Sequence, residues 1–199
     1  MKSLSTTVAN LPASGIRKFF DLVAELDDVI SLGVGEPDFV TPWRVREAAI
    51  HSLEQGRTTY TSNYGLLELR DAIAQQIAGR YGVSYCHRSE VLVTVGVSEG
   101  LDAAFRAILN PGDEVLVPEP CYVSYAPCVL FAGGIPVPVP TRAVDGFKVQ
   151  AENLSTYITP KTKAILLSYP TNPTGAVMGR QELQDVVDVA CANDLYILS

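Results

Sequence analysis

The chain has 199 residues, 47% hydrophobic and 19% charged, which is enough for one sizeable core. A formal net charge of -7, with no cluster of Lys and Arg, argues against nucleic acid as the main partner. No apolar run reaches membrane-spanning length, and the polar start Met1–Thr7 leads into no signal-peptide core, so a cytoplasmic protein with no membrane partner is expected. Cys86, Cys121, Cys128 and Cys191 form no C-x-x-C pair, and two histidines are too few to suggest a metal site, so the thiols read as reduced and structural or incidental.

The first predicted element is a helix over residues 14–26, with Ser14 as N-cap and Ile16, Phe19, Phe20, Val23 and Leu26 on one stripe. A short strand, Val29–Leu32, then enters the loop Gly33–Pro42. Gly35 in that loop would let a ligand approach the main chain, although on its own an ordinary loop is the stronger reading. Thr41 and Pro42 suit the N-cap and first position of a helix whose buried face is Val45, Ala48, Ala49 and Leu53, with Gly56 as its stop. The polar loop Tyr60–Gly65 precedes a helix from Leu66 to about Tyr81, closed by Gly82, with Arg70 and Asp71 expected on its solvated side.

From Glu90 onward strands and helices alternate, which predicts a largely parallel sheet covered on both faces. Glu90–Val95 reads as a strand, Gly96–Gly100 as a turn and Leu101–Leu109 as a helix. A glycine turn feeding a helix N-terminus offers backbone N–H groups to an anion, with the Ser98 hydroxyl as a further donor or simply an N-cap. Glu99 reads as a first-turn acid that complements the helix dipole. Strand Val115–Val117 leads to Tyr122, placed either to stack on a flat ligand or to pack internally. Ile135–Val139, with its interspersed prolines, reads as a strand near a sheet edge or a strand end. A short helix follows at Glu152–Ile158, then a strand at 164–168. That strand ends in Tyr169-Pro-Thr-Asn-Pro-Thr-Gly175, which taken alone reads as a proline-stiffened connector and otherwise as a rigid turn that would hold the Asn172 amide at the strand's carboxyl end. A helix over about Gly179–Asn193 and a strand from Leu195 complete the chain. An anion-binding turn, an aromatic ring and an amide at carboxyl ends of strands together describe a phosphorylated, planar ligand.

These residues resemble the class I/II aminotransferases, pyridoxal-phosphate enzymes of fold type I. The resemblance rests on Ser31–Phe39, Tyr60–Arg70, Val93–Glu99, Asn110–Val115, Tyr122–Tyr125 and Ser168–Gly175, in family order from about residue 14 to Ser199. The look is closest to the bacterial branch of aspartate, aromatic and acyl-diaminopimelate aminotransferases, and Ser14–Phe20 leans toward the last.

The resemblance implies the three-layer α/β/α major domain of the family, with a largely parallel sheet. Residues 1–40 would contribute to a small domain and 41–199 would form the N-terminal part of the large cofactor-binding domain. It implies pyridoxal 5'-phosphate as cofactor, an L-amino acid and a 2-oxo acid as substrates, and a homodimer. Val97, Ser98 and the Glu99 backbone would cradle the cofactor phosphate. Tyr122 would stack on the ring and Asn172 would bond its phenolic oxygen. Tyr60 would reach the phosphate of the other subunit's cofactor, and Gly35 would offer its backbone to the substrate carboxylate. The family also needs a lysine to carry the cofactor, an aspartate for the ring nitrogen and a late arginine for the substrate. None of Lys2, Lys18, Lys148, Lys161 and Lys163 sits in a Ser-x-x-Lys-like setting, and the chain stops one residue short of the expected aspartate. The chain therefore reads as the N-terminal half of such an enzyme, inactive alone. Two alternatives stay open: a pyridoxal-phosphate β-lyase on the same fold, and the cofactor-binding module of a transcription regulator. A regulator would carry a DNA-binding domain before residue 14, where the chain leaves no room for one.

Overall fold

The apolar runs Val115–Pro118 and Ala164–Leu166 have no polar alternation, and each forms the buried part of a strand covered on both faces. In the computed structural model, which describes residues 2–11, 28–30, 35 and 37–199, strand β1 is Glu114–Glu119, β2 Ile135–Pro140, β3 Thr162–Leu166 and β4 Tyr196–Leu198. All pairs are parallel, in the order β2-β1-β3-β4. Leu116 lies opposite Val137 on one side and Ile165 on the other, and Ile165 opposite Ile197. Pro136, Pro138 and Pro140 cannot donate to a ladder, which suits β2 to the edge it occupies.

The helices are α1 (Thr6–Ala9), α2 (Trp43–Glu54), α3 (Leu67–Tyr81), α4 (Gly96–Ile108), α5 (Tyr125–Phe131), α6 (Ala151–Tyr157) and α7 (Arg180–Ala192), with one 3-10 turn at Ala143–Asp145. Successive strand residues point to opposite faces. Val115, Val117, Ala164 and Leu166 meet Phe105 and Leu109 at the end of α4 and Tyr125, Cys128 and Val129 of α5. Leu116, Val139, Ile165 and Leu167 meet Leu154 of α6 and Val186 and Ala190 of α7 on the other face. The result is three layers, helix on sheet on helix. The start of α7 is held by Glu182, which accepts the Gly179 N–H at 2.5 Å and the Lys148 ammonium at 2.7 Å.

Contacts divide the chain into two compact units: Met1–Ala13 with Val95–Ser199, which holds the sheet, and Ser14–Thr94. Within the second, α2 starts one residue later than its sequence suggests, with Pro42 as N-cap and Trp43 first. Its apolar stripe is present but uncovered: no residue of α2 is buried, and Val45 and Leu53 are mostly exposed. Helix α3 ends, as its sequence predicts, on Gly82 in the left-handed region at φ 71°.

Three expectations need correction. Glu90–Val95 is no strand: the Val93 N–H reaches Tyr64 O at 3.1 Å, but no ladder forms along the segment, and without a paired backbone an apolar run stays irregular. Val29 and Ile30 likewise lie outside any strand, while Ser31, Leu32 and the predicted helix 14–26 fall outside the described residues. Arg70 is buried rather than solvated. Its guanidinium lies 5.7 Å from the Tyr64 ring centre and donates to Arg88 O at 3.3 Å, so an aromatic face and a carbonyl replace water. Asp71, beside it, is half-buried and 3.6 Å from His87 Nδ1.

Candidate functional site

The site is built where strands β1 and β3 end. They are neighbours and parallel, so the loops that follow them leave the sheet along one edge. Tyr122 follows β1 and Asn172 follows β3. Helix α4 packs on the sheet face of Val115 and Val117 through Leu101, Phe105 and Leu109. Its end, Leu109, lies by the start of β1 and β2, since a Cβ on Gly134 would meet Leu109 Cδ1 at 2.8 Å and Asp113 O at 3.2 Å. Thirteen residues of helix and six of strand both span roughly 20 Å. The N-terminus of α4 therefore comes level with the carboxyl ends of the strands.

That N-terminus starts earlier than its composition suggests. Gly96–Gly100 reads as a turn, but the helix begins at Gly96. Gly96 has φ +74°, a conformation that favours glycine, and the space where its Cβ would stand is open. The N-cap residue is Val95, which has no side-chain acceptor, so it caps none of the first-turn donors. Glu99 folds back, and its carboxylate accepts the Val95 N–H, so it acts as a capping acid. Val97, Ser98 and Glu99 all lie in this exposed first turn.

Beyond β1, Tyr122 is 38% exposed and meets Tyr125 edge to face, ring centres 5.6 Å apart at 78°. One side of Tyr122 is thus packed while part of its surface stays open. Beyond β3, the turn is closed by Thr171 N–H to Ala176 O at 3.0 Å and Gly175 N–H to Thr171 O at 2.7 Å. The Tyr169 hydroxyl pins its far side to Met178 O at 2.8 Å. The two loops are joined through Ser168, whose Oγ accepts the Tyr125 hydroxyl and the Asn172 N–H, each at 3.2 Å. Cys121, next to Tyr122, is held protonated because burial pushes its thiol up and Glu119 adds to the effect.

Tyr122 and Asn172 are therefore brought together, with the α4 N-terminus at the same level. Gly35 and Tyr60 belong to the other unit, where both are exposed. The sequence reading missed Tyr125 and Ser168. Both carried a signal: two tyrosines at i and i+3, and a serine four residues before Asn172, within reach of its backbone N–H. Lys163 sits at the amino end of β3, away from this edge, and is paired with Asp113 at 2.8 Å. Lys148 is paired with Glu182. Among the described residues no helix is long and apolar enough to cross a membrane.

A model of the family described as "Aminotransferase class I and II" matches residues 27–199. The chain belongs to the class I and II aminotransferases. It is 53% identical over 196 residues to "Putative aminotransferase YugH" of Bacillus subtilis, covering 98% of this chain and 51% of that protein. It is 41% identical to aromatic-amino-acid aminotransferase 2 of Thermococcus litoralis, covering 99% of this chain and 51% of the relative. An aspartate aminotransferase structure from Thermus thermophilus superimposes with a TM-score of 0.90 at 40% identity, covering 99% of this chain and 52% of that one. The chain spans about half the length of the curated relatives it matches. The parallel three-layer α/β/α architecture is the fold these aminotransferases share.

The family implies pyridoxal phosphate, and the donor set here suits it. A helix N-terminus and a serine hydroxyl match a phosphate, a partly open tyrosine face matches an aromatic ring, and a primary amide matches a phenolic oxygen.

Proposed function

We propose that the protein to which this chain belongs is a pyridoxal-phosphate-dependent aminotransferase, moving an amino group from an L-amino acid to a 2-oxo acid. The observation that carries the reading is the joined pair Tyr122 and Asn172 at the carboxyl edge, level with the start of α4. The N–H groups of Val97, Ser98 and Glu99 and the Ser98 hydroxyl hold the cofactor phosphate, favoured by the helix dipole. Tyr122 covers one ring face. The Asn172 amide donates to the phenolic oxygen and so favours its anionic form. Gly35 offers its backbone to the substrate carboxylate, and Tyr60 reaches the phosphate bound by a second subunit of a homodimer. When bound, the cofactor supplies the electron sink for the substrate α-carbon and carries the amino group between substrates.

On this reading residues 1–40 contribute to a small domain and 41–199 to the large cofactor-binding one, in a cytoplasmic biosynthetic enzyme. The lysine that carries the cofactor and moves the proton lies outside this chain, consistent with the engagement of Lys148 and Lys163 in ion pairs. The 199-residue chain alone then turns over no substrate. The test is made on the protein at the natural length of its relatives. Amino acids are screened with 2-oxoglutarate in the presence and absence of pyridoxal phosphate. Cofactor-dependent formation of glutamate supports the reading; a protein that binds no pyridoxal phosphate refutes it.

A further inference from the structure

We propose that the hydroxyl pair Tyr125–Ser168 is a positioning device that fixes the Asn172 turn against the Tyr122 loop. The inference rests on the aminotransferase reading for what the two loops hold. Its physical core is the hydroxyl of Ser168, which has one proton to give and two lone pairs to receive. All three are used: it accepts from Tyr125 Oη and from the Asn172 N–H at 3.2 Å each, and donates toward Pro170 O at 3.5 Å. A rotation about the Ser168 side chain would therefore break several bonds together. Tyr125 is itself immobilised. It is 8% exposed, its N–H bonds Tyr122 O at 3.1 Å, and its ring meets the edge or face of Tyr122. A displacement of either loop is thus felt by the other, through groups 43 residues apart in sequence. Neither hydroxyl needs to touch a ligand. Tyr125 and Ser168 are positioning residues that restrict where the Asn172 amide can lie relative to the Tyr122 ring.

The test uses the natural-length protein, with Tyr125→Phe, Ser168→Ala, the double variant, and Ser168→Thr. Thr keeps the hydroxyl and so both acceptor positions and the donor. The first readout needs no cofactor: amide hydrogen exchange at Asn172. Exchange should speed up roughly three- to ten-fold in Tyr125→Phe, although the bond lost is not one Asn172 makes. The second is pyridoxal phosphate affinity by equilibrium dialysis, which should fall by a similar factor. The third is the pH midpoint of the bound cofactor's visible band, which should move upward as the Asn172 donor loosens. The double variant should lose little more than Ser168→Ala alone, because removing the Ser168 hydroxyl already breaks the Tyr125 link together with the Asn172 bond. Ser168→Thr should restore all three readouts. Unmoved exchange in Tyr125→Phe, additive losses, or failure of Ser168→Thr to rescue would overturn the inference. A wild-type protein that binds no pyridoxal phosphate would instead overturn the aminotransferase reading, and with it the cofactor role of the pair. Fast exchange in Tyr125→Phe would still support the mechanical link.

Discussion

Replacing Gly65 by alanine should destabilise the unit Ser14–Thr94 for two reasons that can be measured separately. The first is backbone conformation. Gly65 has φ +94°, where a residue with a Cβ is strained by about 1–2 kcal/mol. The second is space. The new Cβ would stand 2.6 Å from both Val93 Cβ and Val93 Cγ2. A long side chain could swing away from such a contact, but a Cβ is fixed to its backbone. That backbone is tied, since the Val93 N–H bonds Tyr64 O at 3.1 Å. Overpacking of this kind costs about 1–3 kcal/mol, so Gly65→Ala should lose about 2–5 kcal/mol in all. Adding Val93→Ala removes the Cγ2 contact and keeps the Cβ contact. It should therefore recover only the smaller part, about 1 kcal/mol. Urea unfolding of the natural-length protein followed by circular dichroism gives both numbers. A loss below about 0.5 kcal/mol for Gly65→Ala, or full recovery on adding Val93→Ala, would refute the reasoning.

Phe105→Ala should cost about 3–5 kcal/mol by urea unfolding, because Phe105 is fully buried between α4 and the sheet; a cost near zero would show that α4 packs elsewhere. Asp113 should contribute to acid sensitivity, since the Lys163 ammonium, then the Asn110 N–H, holds its carboxyl below the ordinary value of 3.8. A carboxyl depressed by folding adds stability above its unfolded value and loses it as pH falls through the lower folded one. Tm measured from neutral pH down to about pH 3 should therefore fall less steeply in Asp113→Asn than in the wild type, and parallel curves would count against the pair. Ser98→Ala should weaken pyridoxal phosphate binding about three- to ten-fold in equilibrium dialysis without lowering Tm; an unchanged affinity would make Ser98 a bystander of the helix start.

Much of the sheet could be read in the sequence, because burial on both faces writes itself into a strand as an unbroken apolar run. Val115–Val117 and Ala164–Leu166 have that run, and both are buried in the sheet. Pro136 and Pro138 marked Ile135–Val139 as a strand near an edge or a strand end, and β2 lies at the edge. Gly82 ended α3 for the reason its residue type suggested. Periodicity was less informative where burial depends on a distant partner. The stripe of α2 has helical spacing, yet nothing among the described residues covers Val45 or Leu53. Glu90–Val95 has strand composition without a ladder. Arg70 was misplaced because charge alone says solvent, whereas the ring of Tyr64 and the carbonyl of Arg88 supply an alternative.

The candidate site divides along the same line. Tyr122 and Asn172 could be placed from sequence because each follows its own strand, and the carboxyl edge is common to all strands of a parallel sheet. The start of α4 was hidden by its composition. Gly96-Val-Ser-Glu-Gly100 looks like a turn until the Glu99 carboxylate reaches back to the Val95 N–H and makes it the first turn of a helix. Residues 97–99 thus lie in the first turn of a helix rather than in a loop ahead of it. Tyr125 and Ser168 each had a local signal toward a near neighbour, but the bond between them had none, being formed between residues that only the pairing of β1 with β3 brings together. A parallel sheet thus sets the level at which ligand-binding groups stand, while their mutual geometry is set by side-chain bonds across adjacent loops. Substitutions at such bonds should alter how a ligand is held more than whether the sheet folds.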